Sequence, residues 1–204
     1  MQRTLFRALS AAAIGVLLST GFWSSSPASA ESSQEWPFRR PSEFSVAVFP
    51  HNTETISFSD SWGNRRPGGR RHKGTDIISP RGTEILAVAD GVVTEMGTSR
   101  LSGYFIRIEH AGDWITSYLH LNNDTNGTDD GDGGTWTAFH PTLQEGDEVI
   151  AGQVIGYVGD SGNAEGTIPH THFEIKHDGE KRNPYPFLRD ALEREMQDRY
   201  SLHF

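Results

Sequence analysis

Alternating hydrophobic and polar positions recur along this chain, and the clearest example is the segment 169–175, PHTHFEI. Residues two apart in a β-strand point to the same face of the sheet. His170, His172 and Glu174 would therefore share one face, while the other face would be mostly apolar. Packing alone does not explain an apolar face opposite two imidazoles, so the pattern predicts that these histidines have partners elsewhere in the chain.

Short segments of the same kind fill most of the preceding sequence and are separated by turn signals such as Asp90-Gly91. Strands are predicted over residues 44–49, 83–89, 92–96, 104–109, 114–121, 148–158 and 170–176. Helical spacing occurs only near the end, over residues 187–199. The pattern predicts a mainly β fold, an antiparallel β-sandwich or barrel-like domain, with a short C-terminal helix and tail over 187–204.

Residues 1–30 have the features of an export signal. Arg3 and Arg7 precede an apolar run, and Ala28-Ser29-Ala30 is a small-residue cleavage pattern. The apolar run is short for a membrane span, which favours a cleaved signal peptide over a retained anchor. The sequence therefore predicts a secreted or extracytoplasmic protein, in the cell wall or periplasm, with no stable membrane insertion after cleavage and an N-terminal arm over 31–45.

Composition narrows the chemistry further. The 204 residues carry a formal charge of −9, which argues against nucleic acid as a partner. The chain has no cysteine, so disulfides, thiolate metal sites and a cysteine nucleophile are excluded. Glycine is abundant, at 22 residues, as expected of a protein with many turns.

One acidic, glycine-rich segment, residues 122–141, interrupts the regular pattern and is predicted to be an insertion loop. Its first part reads NNDTNGTDDGDGG, and residues 124–132 offer several carboxylate oxygens of the kind that Ca²⁺ prefers. The spacing matches no EF-hand loop, so calcium binding is only a possible role, and a turn-rich loop without an ion is the simpler interpretation.

Partners for the histidine pair lie earlier in the chain. His72 and Asp76 are four residues apart with Gly74 between them, and both side chains are good zinc donors. One histidine from His170 or His172 would complete a set of three ligands. Three protein ligands leave a fourth tetrahedral position for water, which is the arrangement of catalytic rather than structural zinc sites.

A further histidine, His120, lies in the predicted strand 114–121. Regular alternation would place His120 on the same face as Tyr118, and opposite Leu119 and Leu121. A single histidine in a strand is more often structural than functional. Its interest comes from the two other histidine motifs in the same domain.

Taken in order, these motifs resemble those of the lysostaphin-type (LytM-like) zinc metallopeptidases of bacterial cell walls. The motifs are His72-x-x-x-Asp76, Tyr118-Leu-His120-Leu and His170-Thr-His172-Phe-Glu174. Residues 145–156 and 183–186 are also similar, so the resemblance covers about 46–186. It implies a metallopeptidase domain there, in which one zinc ion is bound by His72, Asp76 and His172, and His120 and His170 are catalytic.

The function implied by this resemblance is that of a secreted zinc metalloendopeptidase, which hydrolyses peptide bonds in peptidoglycan stem peptides or cross-links. Some relatives have lost zinc ligands and activate other wall hydrolases or bind the wall. This chain retains all five key residues, which favours the enzyme, but an activator role stays open. A zinc hydrolase with another substrate also stays open. A monomer is the default expectation.

Two groups of residues have weaker predictions. The arginines in the loop 65–71 would either bind an anion or simply be solvated, and solvation is the simpler interpretation. Glu174 is expected to support a ligand or to be exposed, rather than to act as a base. Five further histidines have no motif around them and are predicted to be structural or at the surface: His51, His110, His140, His177 and His203. Of these, only His140, inside the insertion, is expected to be able to reach the cleft.

Overall fold

The computed structural model describes residues 44–201 as a β-rich domain. The proposed signal peptide, most of the N-terminal arm and His203 lie outside the described residues. The strands, in chain order, are β1 (Thr75–Ile78), β2 (Glu84–Leu86), β3 (Gly91–Ser99), β4 (Gly103–His110), β5 (Trp114–Leu121), β6 (Glu148–Val149), β7 (Val154–Tyr157), β8 (His170–His177) and β9 (Glu180–Arg182). The helices are α1 (Thr135–Ala138) and α2 (Tyr185–Ser201).

Seven of the described strands form one antiparallel sheet in the order β1-β8-β5-β4-β3-β6, with β9 also paired to β8. Strands β2 and β7 form a second, two-stranded sheet. The predicted antiparallel β architecture with a C-terminal helix is confirmed. The larger sheet is not closed into a barrel, because β1 and β6 do not pair within the part of the chain that the structure describes.

The core lies on one face of the larger sheet, and β8 shows how the sequence selects that face. Thr171, Phe173 and Ile175 are fully buried, whereas the alternate residues are only partly buried. The predicted alternation is therefore confirmed, and the histidine face points away from the core. Buried side chains from neighbouring elements complete this core, among them Ile77, Ile106, Ile108, Tyr118, Leu121, Ile155 and Leu188.

Three predicted elements differ in detail from the structure. Residues 44–49 form no strand, because only isolated backbone hydrogen bonds, such as Ala47 N–H to Val88 O at 2.8 Å, join them to the segment between β2 and β3. The predicted strand 148–158 divides into β6 and β7 around a turn. The insertion 122–141 is not entirely a loop, because it contains the short helix α1.

Helix α2 begins at Tyr185, two residues before the predicted start, where the Asn183 side chain accepts the Tyr185 amide at 3.0 Å. The helix buries Leu188 and Ala191 and fixes the extended segment 44–49 through side-chain contacts. One example is Glu195, whose carboxylate accepts the Phe49 amide at 2.6 Å. No helix between residues 44 and 201 combines the length and the apolar character needed to cross a bilayer.

A buried polar network below the sheet contains His110. Its Nδ1 donates to the Asp90 carbonyl at 2.8 Å, and its Nε2 lies 2.8 Å from the Thr116 hydroxyl. Burial lowers the pKa of His110 to about 4, although the bond to Asp90 opposes the shift. His110 is therefore neutral in the folded protein at a pH where it would be charged in the unfolded chain.

We expect the free energy of unfolding to fall as the pH drops below about 6.5. Below that pH His110 is protonated in the unfolded chain, whereas in the folded protein it stays neutral until about pH 4. For this one residue the loss is of the order of 3 kcal/mol across that window. Urea unfolding at pH 7 and pH 4.5 should show a smaller loss for His110→Gln than for the wild type.

The matched control is His140→Gln, on the insertion, which should retain the wild-type pH dependence. Equal pH dependence of the wild type and His110→Gln would contradict the prediction.

Candidate metal centre and catalytic cleft

Three predicted ligands meet at one end of the larger sheet. Antiparallel pairing of β1 with β8 places Asp76 directly opposite His172, and His72 lies just before β1. Nε2 of His72 is 3.0 Å from Oδ1 of Asp76 and 2.9 Å from Nδ1 of His172. The third separation, His172 Nδ1 to Asp76 Oδ1, is 2.8 Å. Three donor atoms therefore converge on one point.

The other ring nitrogen of each ligand histidine is held by an acceptor. Nδ1 of His72 donates to the Ser61 carbonyl at 3.1 Å, and Nε2 of His172 donates to the Glu174 carboxylate at 3.2 Å. Metal-binding histidines commonly donate their second N–H to a carbonyl or carboxylate, which fixes the tautomer and the ring orientation. The lone pairs on the converging nitrogens are thereby directed at the same point.

Both carboxylates at this centre are paired with cations. The Arg66 guanidinium contacts the second oxygen of Asp76 at 2.5 Å, and the Lys181 ammonium contacts Glu174 at 2.5 Å. In the metal-free centre burial alone would raise the pKa of Asp76, but its contacts with the His172 and His72 imidazoles hold it well below its usual range. Burial also opposes ionisation of Glu174, yet bonds from His172 and Lys181 lower its pKa to about 2. Both groups are therefore carboxylates at neutral pH.

Gly74 makes this convergence possible. A Cβ at Gly74 would lie 2.6 Å from Nε2 of His172 and 2.5 Å from the Phe173 carbonyl. A side chain at this position would displace the His172 ring and push the Phe173 backbone away from the segment that joins the ligands His72 and Asp76. The sequence signal, a glycine between the two ligands, therefore reflects a steric requirement of the centre.

These residues fit a zinc ion. Two imidazole nitrogens and one carboxylate oxygen form a donor set typical of catalytic zinc sites, and within the described residues His72, Asp76 and His172 are close enough to share one ion. The convergence also needs an explanation, because three acceptor atoms would repel one another without a cation or a proton between them. For the metal-free centre, burial opposes protonation of His172, but Asp76 and Glu174 raise its pKa overall.

His120 reaches the same cleft through a β-bulge. Tyr104 pairs with Leu121 and Phe105 pairs with Leu119, so His120 is an extra residue in β5, with φ of +63°. The bulge turns His120 toward the cleft beside Leu119, while Tyr118 and Leu121 remain in the core. The prediction that His120 shares a face with Tyr118 is therefore wrong, because it assumed unbroken alternation.

Ser161 closes the gap that this bulge leaves in the ladder. Its hydroxyl donates to the Leu121 carbonyl at 2.5 Å and accepts the Tyr104 amide at 2.9 Å. Its own carbonyl accepts the Nδ1–H of His120 at 2.9 Å. Ser161 thus provides hydrogen-bond partners for a backbone group of each strand at the bulge and also orients the His120 imidazole. No motif in the sequence indicates that Ser161 has this role.

His170 faces His120 across the cleft, with 5.2 Å between the ring centroids, and its Nδ1 donates to the Ile168 carbonyl at 2.7 Å. The cleft has a volume of about 790 Å³ and contains all five predicted site residues. Burial, reinforced by the neighbouring His170, lowers the pKa of His120 to about 4. His120 is therefore neutral at physiological pH, with its Nε2 as an available acceptor.

The carboxylates of the insertion surround an arginine. Arg81 contacts Asp124, Asp129 and Asp160, and two of these three aspartates are fully buried. Asp124, Asp129 and Glu165 are close enough to share an ion, but the guanidinium already balances two of them. Calcium at residues 124–132 stays a prediction without support, and a protein cation explains the acidic cluster.

The remaining histidines of the described region lie away from the ligands. His51 is buried between the Ser79 and Thr171 hydroxyls, and His177 stacks on Trp114. His140 bonds to Thr142 and does not line the cleft. The arginine loop differs from the simpler expectation, because Arg66 is bound to Asp76 rather than merely solvated.

Comparison with known proteins agrees with this geometry. Residues 70–184, more than half of the chain, match the model of peptidase family M23. The chain belongs to this family. The matched range begins just before His72 and ends shortly after β9, so it contains all the residues that converge in the cleft.

Several curated relatives of this M23 chain act on or around peptidoglycan, according to their names. The peptidoglycan DD-endopeptidase ShyC of Vibrio cholerae is 33% identical over 56% of this chain and 22% of its own length. The L-Ala--D-Glu endopeptidase of Bacillus subtilis is 33% identical over 70% of this chain and 43% of its own length. The murein hydrolase activator NlpD of Escherichia coli is 34% identical over 57% of this chain and 26% of its own length. The chain thus matches less than half the length of each.

Solved structures show the same fold. The catalytic domain of lysostaphin from Staphylococcus simulans has a TM-score of 0.52 and 27% identity, over 66% of this chain and 92% of that domain. A zinc-containing peptidase from Vibrio cholerae has a TM-score of 0.54 and 25% identity, over 69% of this chain and 39% of its own. The M23 fold and family are therefore shown for this chain.

Replacement of Ser161 by alanine is expected to lower the free energy of unfolding by about 1–3 kcal/mol, because it leaves the Leu121 carbonyl and the Tyr104 amide without partners. Urea unfolding of the purified protein measures the change. Ser102→Ala is the matched control, since the Ser102 side chain makes no hydrogen bond in the described region. Equal stability of the two variants would remove Ser161 from this role.

Proposed function

We propose that this chain is a secreted zinc metalloendopeptidase that hydrolyses peptide bonds in peptidoglycan stem peptides or cross-links. The single observation that carries the proposal is the convergence of His72, Asp76 and His172 beside two further histidines in one cleft. Export rests on the signal-like residues 1–30 of the sequence. The peptidoglycan substrate is supported by the names of the M23 relatives.

In this proposal His72, Asp76 and His172 hold one zinc ion. The zinc supplies Lewis acidity, which polarises a peptide carbonyl and makes water a better nucleophile. Arg66, Ser61 and Glu174 hold the three ligand side chains in place through the contacts described above. They are positioning residues, because they act through the ligands.

His120 and His170 are proposed as the catalytic pair. A carbonyl accepts the Nδ1–H of each ring, Ser161 O for His120 and Ile168 O for His170, so each ring carries its lone pair on Nε2. One Nε2 accepts a proton from the attacking water. That proton is then passed to the leaving amine as the peptide C–N bond breaks. The other imidazole stabilises the charge developing on the carbonyl oxygen only when it is itself protonated on Nε2.

A second candidate function is activation of another wall hydrolase, and its support is the similarity to NlpD. An activator needs the folded surface but not the metal or the catalytic histidines. The retention of all five residues in one cleft favours the enzyme. Digestion of purified peptidoglycan, with fragments identified by mass spectrometry, separates the two, because only an endopeptidase generates new peptide amino termini.

His72→Ala is expected to abolish zinc binding and peptidoglycan digestion together. The centre loses one of its three ligands, and with it the hydrogen bond between His72 and the Ser61 carbonyl. Metal content measured by atomic spectroscopy and digestion measured by mass spectrometry report the two losses. His140→Ala, outside the cleft, should retain both. Stoichiometric zinc in His72→Ala would contradict the assignment of the ligand.

His120→Ala is expected to retain zinc and to lose about 10²–10⁴-fold in turnover, which is the usual contribution of a general acid or base. The comparison needs metal content and the steady-state rate on one defined muropeptide. His177→Ala, another β-strand histidine remote from the ligands, serves as the control. A full rate in zinc-loaded His120→Ala would remove this residue from the mechanism.

A further inference from the structure

The cleft is cationic in an acidic protein. The chain carries 27 acidic and 18 basic residues, yet the cleft is lined by five lysine or arginine side chains and only two carboxylates. Those two carboxylates, Asp76 and Glu174, are bound to Arg66 and Lys181. The remaining three cations have no carboxylate within 4.0 Å in the described part of the chain. We name them the cationic rim: Arg70, Arg71 and Lys73.

The cationic rim is held in place by the hairpin that carries the ligand His72. Backbone hydrogen bonds close this hairpin, from Arg66 N–H to Arg70 O at 2.9 Å and from His72 N–H to Asn64 O at 2.8 Å. The backbone of residues 70, 71 and 73 is therefore held next to the metal centre, although their side chains are exposed.

Contacts of the side chains restrict the rim further. Nη1 of Arg71 donates to the Gly63 carbonyl at 3.1 Å, and Nε of Arg70 donates to the Pro67 carbonyl at 3.3 Å. The Lys73 ammonium lies 5.1 Å from the centroid of the Trp62 ring. Each contact uses part of the donor capacity and leaves further N–H groups for a ligand. An arginine held in this way loses little entropy when it binds a carboxylate.

The far side of the cleft has a different character. Strands β8 and β5 separate β1 from β4, so the hairpin before β1 and the turn before β4 are about 14 Å apart across the sheet, from the usual strand spacing. Leu101, in that turn, and Ile168 are both exposed apolar side chains that line the cleft. The cleft therefore presents cations on one side and aliphatic surface on the other.

We infer that the cationic rim selects peptides that carry a free carboxylate beside the scissile bond, on the side of the cleft toward His72. An aliphatic residue of the same peptide would occupy the side toward Leu101 and Ile168. Charge-assisted hydrogen bonds from arginine to a carboxylate are stronger than those to a neutral amide, so conversion of that carboxylate to an amide weakens recognition. This inference rests on the proposed peptidase function and specifies its substrate class.

The test uses two stem peptides that differ in one group. One carries a free α-carboxylate on its glutamate residue, and the other carries the same position as a primary amide. For the zinc-loaded wild type we expect kcat/KM to be about 10-fold higher for the acid than for the amide. The ratio should decrease at 0.5 M salt, because ions screen exposed charge pairs.

The double variant Arg70→Gln/Arg71→Gln should reduce this ratio to about 1–2-fold, because kcat/KM for the acid should fall much more than kcat/KM for the amide. The matched control, Arg189→Gln/Arg199→Gln, removes the same charge from helix α2, outside the cleft, and should retain the wild-type ratio. Equal kcat/KM for acid and amide in the wild type would overturn the inference and leave the peptidase proposal intact.

If the zinc-loaded wild type cleaves neither peptide, calorimetric measurement of the binding of both peptides separates the two proposals. If neither peptide is cleaved but the acid binds about 10-fold more tightly, the substrate class stands and the peptidase proposal fails. If neither is cleaved and both bind equally, both proposals fail. Tighter binding of a phosphodiester polymer than of the acid peptide would also overturn the inference, because the rim would then recognise another class of anion.

Discussion

The site depends above all on the antiparallel pairing of β1 with β8. This register places Asp76 opposite His172, and the residues on either side of the pair are core residues of the sheet. A shift of one residue would move His172 to the buried face and Phe173 to the cleft. The same hydrophobic burial that stabilises the sheet therefore also specifies the metal centre. Gly74 is the local condition for it, since the two strands approach too closely there for a side chain.

The site also depends on the β-bulge at His120 in β5, the strand next to β8. His120 occupies a left-handed backbone conformation that favours glycine, and such a conformation costs roughly 1–2 kcal/mol for another residue. The hydrogen bonds of Ser161 offset this cost, because they satisfy the two strands on either side of the bulge. The cleft thus gains an imidazole that a regular strand would have buried beside Tyr118.

The acidic side chains near the site are paired with arginine and lysine side chains of the same chain. The buried aspartates Asp124, in the insertion, and Asp160, outside it, contact Arg81. The two carboxylates of the cleft are bound to Arg66 and Lys181. Buried charges are costly unless they are paired. Since Asp76 and Glu174 are paired, the arginines and lysine of the cationic rim are the cleft cations without a carboxylate partner among the described residues, in a chain whose net charge is negative.

The sequence by itself determined the features that depend on local spacing and on composition. Alternation in β8 identified the histidine face, the absence of cysteine limited the donor set, and the three motifs indicated the M23 family. It also predicted most of the strands, because each forms from a contiguous alternating segment. The prediction of a strand at 44–49 was wrong, because this segment makes only isolated backbone hydrogen bonds, to Val88, and no continuous ladder.

Only the tertiary structure decided which atoms meet. His72 contacts His172 across 100 positions of sequence, and His120 bonds to Ser161 across 41. No local pattern encodes such partners, because strand register and bulges arise from the packing of the whole sheet. For the same reason the face of His120, the binding of Arg66 to Asp76 and the position of Arg81 among the acidic residues became visible only in the folded chain.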